Sequence, residues 1–249
     1  MRDSEHITVH GLRVSFNHHE IIHGIDLTVA EGEFLSVLGK SGCGKSTLLH
    51  ALAGFIPYQG EVRVPQHLGM VFQNYAVFPW LTVRENIAFG LRHKDSAARN
   101  GVVARMLDLM GLAAQASSYP AQLSGGQAQR VALGRAFAPD PEVVLMDEPF
   151  GALDLFTREK MQTWLLDIWG RANKTVIFVT HSIEEAIFLS DRVVVLGPGF
   201  ILGQFSVSLA RPRKEEMKFD ASFVELKRQI VETMEQAGLS GLDAVRKVK

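Results

Sequence analysis

Several features are scarce in this 249-residue sequence, and each absence excludes a class of protein. The sequence has one cysteine, Cys43, so neither an intrachain disulfide nor a four-cysteine metal site can form. A reducing cytosol is therefore the expected compartment. The formal net charge is -1 at pH 7, so no overall basic field would attract nucleic acid or an anionic lipid surface. We expect no nucleic-acid partner.

Long apolar runs are missing as well. The runs at residues 143–146 and 193–196 are far shorter than the ~20 residues that span a bilayer. The beginning of the chain carries acidic and polar residues where a secretory signal would need an apolar stretch. We therefore expect a chain that has a membrane role only through another protein.

The distribution of apolar residues predicts two kinds of strand. Near the N-terminus apolar and polar residues alternate, which predicts short antiparallel strands at residues 7–9, 12–16 and 25–29. Four valine-rich runs are nearly continuous instead, as is typical of parallel strands covered on both faces. These runs are residues 34–38, 143–146, 176–179 and 193–196.

Helical periodicity predicts the remaining organisation. Residues 83–138 are mainly helical in pattern and are interpreted as an inserted subdomain, with residues 1–82 and 139–215 forming the core. Residues 216–249 are a C-terminal helical tail with Ser222 and Glu225 at capping-box spacing. One stripe of this tail is apolar and should pack on the core: Phe223, Leu226, Ile230 and Met234.

The segment GKSGCGKS at residues 39–46 has the pattern of a phosphate-binding loop, and it lies between a predicted strand and a predicted helix. Its glycines allow backbone N–H groups to wrap a β-phosphate. Lys45 would bridge the β- and γ-phosphates, and Ser46 would offer a hydroxyl to magnesium. A glycine-rich turn without a ligand is the alternative, which the strand and helix on either side disfavour. Cys43 is either a thiol activated by this loop or an inert small residue.

Two acidic residues follow the apolar run at 143–146. Asp147 and Glu148 would lie at the carboxyl edge of the sheet, where open α/β sheets bind their ligands. Asp147 would organise the magnesium shell, and Glu148 would act as the general base toward water. His181 follows the run at 176–179 and would meet the γ-phosphate at the same edge. A solvated acidic turn and a structural histidine are the alternatives.

The segment LSGGQ at residues 123–127 contains a second pair of glycines at the beginning of a predicted helix. Ser124 and Gln127 have capping-box spacing. Two glycines reduce helix stability unless something approaches the backbone closely, so a second phosphate contact is predicted beside the simple cap.

With these residues, the sequence resembles the ATP-binding-cassette family over nearly its whole length. The resemblance rests on the P-loop, Gln73, LSGGQ, the Asp147-Glu148 pair and His181, in family order. It implies an α/β P-loop NTPase core of ABC type with an antiparallel β subdomain and an inserted helical subdomain. It also implies an ATPase that uses ATP and Mg²⁺ and works as a head-to-tail dimer of two copies. In such a dimer, the P-loop of one copy and the LSGGQ segment of the other, which is the family's signature, enclose each ATP.

The resemblance assigns site residues as follows. Catalytic roles fall on Glu148, His181, Lys45 and Gln73, and the magnesium ligands are Ser46, Gln73 and Asp147. The nucleotide-binding residues are Phe16, which would stack on adenine, then Gly39, Lys40, Ser41, Gly42, Cys43, Gly44, Lys45, Ser46 and Thr47 of the P-loop, then Ser124, Gly125, Gly126, Gln127 and the D-loop residue Asp154. Ala128 and Gly134 depart from common family residues, and neither is an expected phosphate ligand.

Residues 148–154, 156–159, 73–74 and 77–80 are similar to those of the nitrate, sulfonate and taurine importer branch. Related branches that import polyamines or other anions share parts of this pattern. That similarity implies transmembrane permease subunits docking near Val77, Phe78 and Trp80, an external solute-binding protein, and a peripheral location at the cytoplasmic face of the cell membrane. The alternative for the docking residues is a place in the core of the helical subdomain.

Two other functions compete with this interpretation. A soluble regulatory or repair ATPase of the same family usually carries two fused cassettes or a long coiled coil, and this sequence has neither. A P-loop GTPase would need an Asn-Lys-x-Asp motif, and NKTV at residues 173–176 lacks the final acid.

Overall fold

The computed structural model describes residues 5–17, 19–172 and 174–246, with side chains as far as residue 236. The chain divides into two compact units. Unit 1 consists of Met1–Val64 and Thr175–Lys249, and unit 2 of Pro65–Lys174. The predicted division into a core and a helical subdomain at residues 83–138 is a different division of the chain, and it stays a prediction.

Unit 1 contains a three-stranded antiparallel sheet. Its strands are β1 (Glu5–Phe16), β2 (His19–Ala30) and β4 (Gln59–Arg63), in the order β2-β1-β4. The prediction of separate strands at residues 7–9 and 12–16 is wrong, because β1 is continuous. Its register shifts between Val9 and Leu12, where Gly11 has a φ of 58° and donates its N–H to Asp26 Oδ1 over 2.9 Å. The glycine that resembled a turn in the sequence lies in a β-bulge.

Unit 1 also contains parallel strands. β3 (Phe34–Leu38) pairs in parallel with β7 (Thr175–Thr180) and β8 (Arg192–Leu196), and β9 (Ile201–Ser206) is antiparallel to β8. Every residue of β3 and β7 is buried, which agrees with the continuous apolar runs. The helices of this unit are α1 (Lys45–Leu52), α6 (Ile183–Leu189), the 3-10 helix Glu215–Phe219 and α7 (Ala221–Arg246).

Unit 2 combines two parallel strands with most of the helices. β5 (Leu68–Val71) pairs with β6 (Val143–Asp147). The helices are α2 (Val83–Ala88), α3 (Ser96–Leu109), α4 (Gly125–Phe137) and α5 (Leu155–Ala172), with 3-10 helices at Phe89–Leu91, Ala113–Gln115 and Pro120–Gln122. The helical pattern of residues 83–138 is confirmed. The second helix, α3, begins at Ser96 because the Asp95 carboxylate accepts the Ala98 N–H over 2.8 Å and caps it.

The C-terminal tail is a helix that packs on α6 and β9, as predicted. Phe223 and Ile230 are buried, and the rest of the apolar stripe is half-buried. The predicted capping box at Ser222 is wrong, because α7 begins one residue earlier and Val224 N–H already donates to Asp220 O over 3.0 Å. Ser222 therefore lies inside the first turn.

Candidate nucleotide-binding site

The P-loop connects β3 to α1 and holds a buried ammonium group. Lys45 is the first residue of α1 and is 5% exposed. Its Nζ donates to Gly39 O over 2.9 Å and to Lys40 O over 3.0 Å. These carbonyls satisfy two of its three donors and fix the positive charge at the loop. The charge needed for a phosphate is therefore already in place.

The glycines of the loop meet specific steric demands. Gly42 and Gly44 have φ angles of 81° and 106°, in the left-handed region that favours glycine. A Cβ at Gly39 would lie 2.5 Å from Leu196 O and 2.6 Å from Cys43 Sγ. The residues of the loop differ in exposure. Lys40, Ser41, Gly42 and Ser46 are exposed, and Thr47 is half-buried. A loop with this form presents its outer edge to a ligand while its inner edge is closely packed.

Cys43 faces the inner side of this loop. It is 7% exposed, its N–H donates to Lys40 O, and its carbonyl accepts the Gly199 N–H, each over 3.3 Å. Burial restricts the access of an alkylating reagent to the sulfur. The reactivity of this thiol stays a prediction, with an inert small residue as its alternative.

His181 lies at the end of the strand beside the P-loop. Leu38 of β3 is in register with Thr180 of β7, and Gly39 N–H donates to Thr180 O over 3.4 Å. His181 follows in an exposed turn. The structure thus places this histidine at the same edge of unit 1 as the P-loop, as parallel pairing predicts.

The turn that carries His181 is fixed by a buried polar network. Thr180 Oγ1 donates to the Glu185 carboxylate and accepts the Ser182 N–H over 3.0 Å. Both Thr180 and Glu185 are buried, at 2% and 5% exposure. A satisfied buried network of this kind restricts the backbone on both sides of the histidine.

Phe16, the predicted adenine platform, ends β1. It pairs with His19 across the hairpin, and its side chain is 44% exposed. An aromatic ring with an open face is available for stacking.

In unit 2, the acidic pair follows β6 as predicted. Asp147 is the last residue of the strand and is buried, with 7% exposure. Glu148 is half-buried and has a φ of 42°, which is uncommon for a residue with a side chain. Its carbonyl accepts the Gly151 N–H over 3.1 Å. The tight turn holds Glu148 in this conformation, and such backbone outliers cluster at functional sites.

The LSGGQ segment has the predicted reciprocal cap. Ser124 N–H donates to Gln127 Oε1 over 2.9 Å, and Gln127 N–H donates to Ser124 Oγ over 3.3 Å. A Cβ on Gly126 would lie 3.0 Å from Thr157 Cγ2. Gly126 therefore has a packing reason in addition to the predicted approach of a phosphate.

Asp154 immediately precedes α5 and lies close to that cap. Its carboxylate accepts the Thr157 N–H over 3.1 Å, and hydrogen bonds from the Thr157 side chain and backbone hold the pKa of Asp154 below its ordinary value. A Cβ on Gly125 would lie 3.5 Å from Leu153 Cδ2, beside Asp154 in the chain. The D-loop and the signature are thus neighbours within unit 2.

The segment between β5 and α2 carries Gln73 and the predicted docking residues. Gln73 is exposed, and Trp80 is 69% exposed, so Trp80 is not part of the core. Val77 and Phe78 are half-buried. The Phe78 ring lies 4.4 Å from that of Phe89 and 5.5 Å from that of Trp80.

Comparison with known proteins decides the family. A family model described as ABC transporter matches residues 22–151, which is more than half of the chain. The chain belongs to the ABC transporter family. Its fold and P-loop are those of an ABC-type ATPase, and the family and fold class predicted from the sequence are confirmed.

Three relatives of this ABC protein carry names that specify a solute. An aliphatic sulfonates import ATP-binding protein of Mycobacterium sp. (strain MCS) is 44% identical, over 90% of this chain and 92% of its own. Another protein of that name, from Nocardia farcinica, is 42% identical over 90% and 89%. A taurine import ATP-binding protein of Escherichia coli is 41% identical over 85% and 90%. These names agree with the predicted branch.

A solved structure gives the same picture for the fold. It is a dimeric ATP-binding cassette in a post-hydrolysis state, bound to ADP and Pi. Its sequence is 29% identical to this cassette, and the TM-score is 0.72 over 82% of this chain and 100% of the solved one.

Two polar residues that the sequence did not single out organise the docking segment. Asn86 is fully buried, accepts the Phe78 N–H over 2.8 Å and donates to three carbonyls, those of Phe78, Leu81 and Thr82. Arg135 of α4 donates to the carbonyls of Tyr75 and Ala76. A polar residue on the apolar stripe of a predicted helix was the available signal for both.

The described residues were also compared with the requirements of a metal site and of a membrane-spanning helix. No three histidine, cysteine, aspartate or glutamate side chains cluster there as a metal site. The predicted magnesium ligands Ser46, Gln73 and Asp147 supply hydroxyl, amide and carboxylate oxygens, the donor type that Mg²⁺ prefers, so the donor chemistry fits the ion. None of the helices in this part of the chain combines the length and the apolarity that crossing a bilayer requires.

Proposed function

We propose that this cassette hydrolyses ATP to energise the import of a small sulfonated solute, such as taurine or an aliphatic sulfonate. The observation that carries the proposal is the similarity, at 41–44% identity over most of both chains, to proteins named for sulfonate and taurine import. The retained P-loop, signature and acidic pair support hydrolysis, because each has the local geometry that its role needs.

In this proposal the chemistry is in-line attack of water on the γ-phosphate. Lys45 neutralises phosphate charge from the position that the Gly39 and Lys40 carbonyls hold. Glu148 accepts the proton of the attacking water, and His181 contacts the γ-phosphate from the turn beside the P-loop. Phe16 stacks on the adenine ring with its exposed face.

Magnesium is assigned to three oxygen donors, those of Ser46, Gln73 and Asp147. The ion, when bound, would neutralise charge on the β- and γ-phosphates. Gln73 additionally orients water near Glu148 in this proposal, which accounts for its place among the catalytic residues.

Two copies of the chain are proposed to form a head-to-tail dimer. The P-loop of one copy and the signature of the other then enclose each nucleotide. The exposed helix N-terminus at Ser124 supports an anion contact of this kind. The dimeric state of the solved cassette with ADP and Pi supports the formation of a dimer.

Permease subunits are proposed to dock on the segment with Val77, Phe78 and Trp80, placing the cassette peripherally at the cytoplasmic face of the membrane. The exposed indole of Trp80 supports this, because Trp is enriched at the centres of protein interfaces. A solute-binding protein on the other side of the membrane delivers the solute. A regulatory or repair ATPase without a permease is the alternative, and the names of the relatives do not favour it.

The test is reconstitution of the cassette with the proposed permease subunits and solute-binding protein. In proteoliposomes with ATP inside, we expect uptake of taurine or an alkanesulfonate that depends on ATP. Nitrate and sulfate serve as competitors that define the solute class. ATP hydrolysis without any co-purifying transmembrane subunit would favour the soluble ATPase instead.

A further inference from the structure

The loop at residues 73–80, here called the Gln73 loop, contains two adjacent residues in an unfavourable conformation. Tyr75 and Ala76 have φ angles of 57° and 46°, in the left-handed region. Residues with a Cβ are disfavoured in this region because the Cβ lies too close to the neighbouring carbonyl oxygen. Such a conformation persists only where surrounding contacts hold it.

The side chain of Arg135 supplies two of the contacts that stabilise this conformation. Arg135 Nη1 donates to Ala76 O over 2.5 Å, and Nη2 donates to Tyr75 O over 3.2 Å. Its guanidinium carbon also lies 5.1 Å from the centroid of the Phe78 ring. The two strained peptides and the aromatic residue of the docking segment are therefore bound by a single planar group.

The chemistry of this contact requires arginine. Two terminal nitrogens in a fixed fork match two consecutive carbonyls, whereas a lysine ammonium is a point charge that cannot span both in the same geometry. Burial lowers the pKa of the Arg135 guanidinium, which shows that the group is partly removed from water. Hydrogen bonds in such surroundings are stronger than at a solvated surface.

Arg135 lies in the last turn of α4, the helix whose first residues are the signature. The two ends are 11 residues apart, or roughly 16 Å along the helix axis. Next to Arg135, the Cα of Gly134 is packed so closely that a Cβ would lie 3.1 Å from Met110 Cγ and 3.3 Å from Ile87 carbons. A helix packed this tightly moves as a rigid element with its neighbours.

We propose that Arg135 is a positioning residue that connects the Gln73 loop to α4, the helix that begins with the signature. When the permease displaces this loop, Arg135 transmits the displacement to Ser124 and Gly126. The inference rests on the proposed function, since it needs a permease that displaces the loop. Arg135 acts through the loop and contacts no reacting group.

The experiment uses the reconstituted transporter and compares Arg135→Gln with Arg130→Gln. Arg130 lies on the same helix but contacts Met161 and Trp164 of α5, so it is a matched control. The readout is solute transported per ATP hydrolysed. We expect Arg135→Gln to lower this ratio at least about tenfold, a change within the range that is usual for coupling between two sites. Arg135→Lys should restore part of the ratio. Arg130→Gln should leave it within about twofold of the wild-type value.

A merely structural role is separated by a double-mutant cycle with Phe78→Ala. If Arg135 works through the loop, the effects of the two changes on the transport ratio will be strongly non-additive. Thermal melting and nucleotide affinity of each variant show whether it is folded. If Arg135→Gln is not folded, the transport ratio of Arg135→Lys is compared with that of the wild type instead.

The outcomes separate this inference from the proposed function. If the wild-type complex shows no solute-dependent hydrolysis, the proposed function fails regardless of the variants. If the wild type is coupled and Arg135→Gln keeps its transport ratio, or if Arg130→Gln loses as much, the role of Arg135 is refuted.

Discussion

At the scale of single residues, the carboxylate of Glu148 is the group that we propose acts in hydrolysis and not in ATP binding. Glu148→Gln keeps the size of the side chain and removes the proposed base, so ATP binding should persist while kcat falls roughly 10²- to 10⁴-fold. Steady-state phosphate release and equilibrium nucleotide binding measure the two effects. The exposed Glu142, on the same unit, provides the control Glu142→Gln, which should change neither. Turnover within about twofold of wild type would remove Glu148 as the base.

Residues that follow strands were easier to predict than residues that contact loops. The placements of Asp147, Glu148 and His181 followed from apolar runs, because a parallel strand ends where its ligand edge begins. Arg135 and Asn86 bind main-chain carbonyls of a loop outside regular secondary structure. Helical periodicity can mark each of them as a polar residue on an apolar stripe, but it does not encode which carbonyls the residue binds, since that depends on how the loop returns to its helices.

At the scale of elements, two helical glycines provide a matched pair of stability measurements. Gly170 lies in α5 with no atom within 4 Å of an added Cβ, so Gly170→Ala should raise the free energy of unfolding by about 0.5–1 kcal/mol. Gly134 is crowded by Met110 and Ile87, so Gly134→Ala should gain less or lose stability. Urea unfolding of both variants tests this. An equal gain would mean that the contact around Gly134 yields freely.

The start of α5 should depend on pH through Asp154. Because hydrogen bonds from Thr157 lower the folded-state pKa of Asp154, its carboxylate stabilises the fold above the ordinary aspartate value of about 4. That contribution is lost as pH falls through the folded-state pKa. The difference in melting temperature between wild type and Asp154→Ala, measured without nucleotide, should therefore shrink as the pH falls from 7 toward 3. A difference that stays constant over this range would contradict the assignment.

Element types followed from the sequence more closely than element boundaries did. The buried strands β3 and β7 were recognised from valine-rich runs, but β1 was divided at Gly11 because a bulge and a turn use the same residue type. The start of α7 was misplaced because Asp220 and Ser222 both suit a helix N-terminus, and the sequence alone does not rank them.

At the scale of the whole molecule, the proposed shared sites predict that two defective chains can complement each other. A Lys45→Ala chain and a Ser124→Arg chain should each be inactive alone. In a mixed dimer one site combines the intact P-loop with the intact signature, so the mixture should regain ATP hydrolysis. Turnover per chain should also rise with protein concentration. A mixture that stays inactive, with both chains folded and able to dimerise, would show that each site is built within one chain.

The backbone at Glu148 has a consequence for how this protein would evolve in the laboratory. Its left-handed conformation costs about 1 kcal/mol for a residue with a side chain, and glycine would relieve that cost. A library screened for heat tolerance alone should therefore become enriched in glycine at position 148. Because glycine lacks the carboxylate proposed to act as the base, the most heat-tolerant clones should be poor hydrolases. Only a screen that also demands growth on the transported solute would keep the glutamate.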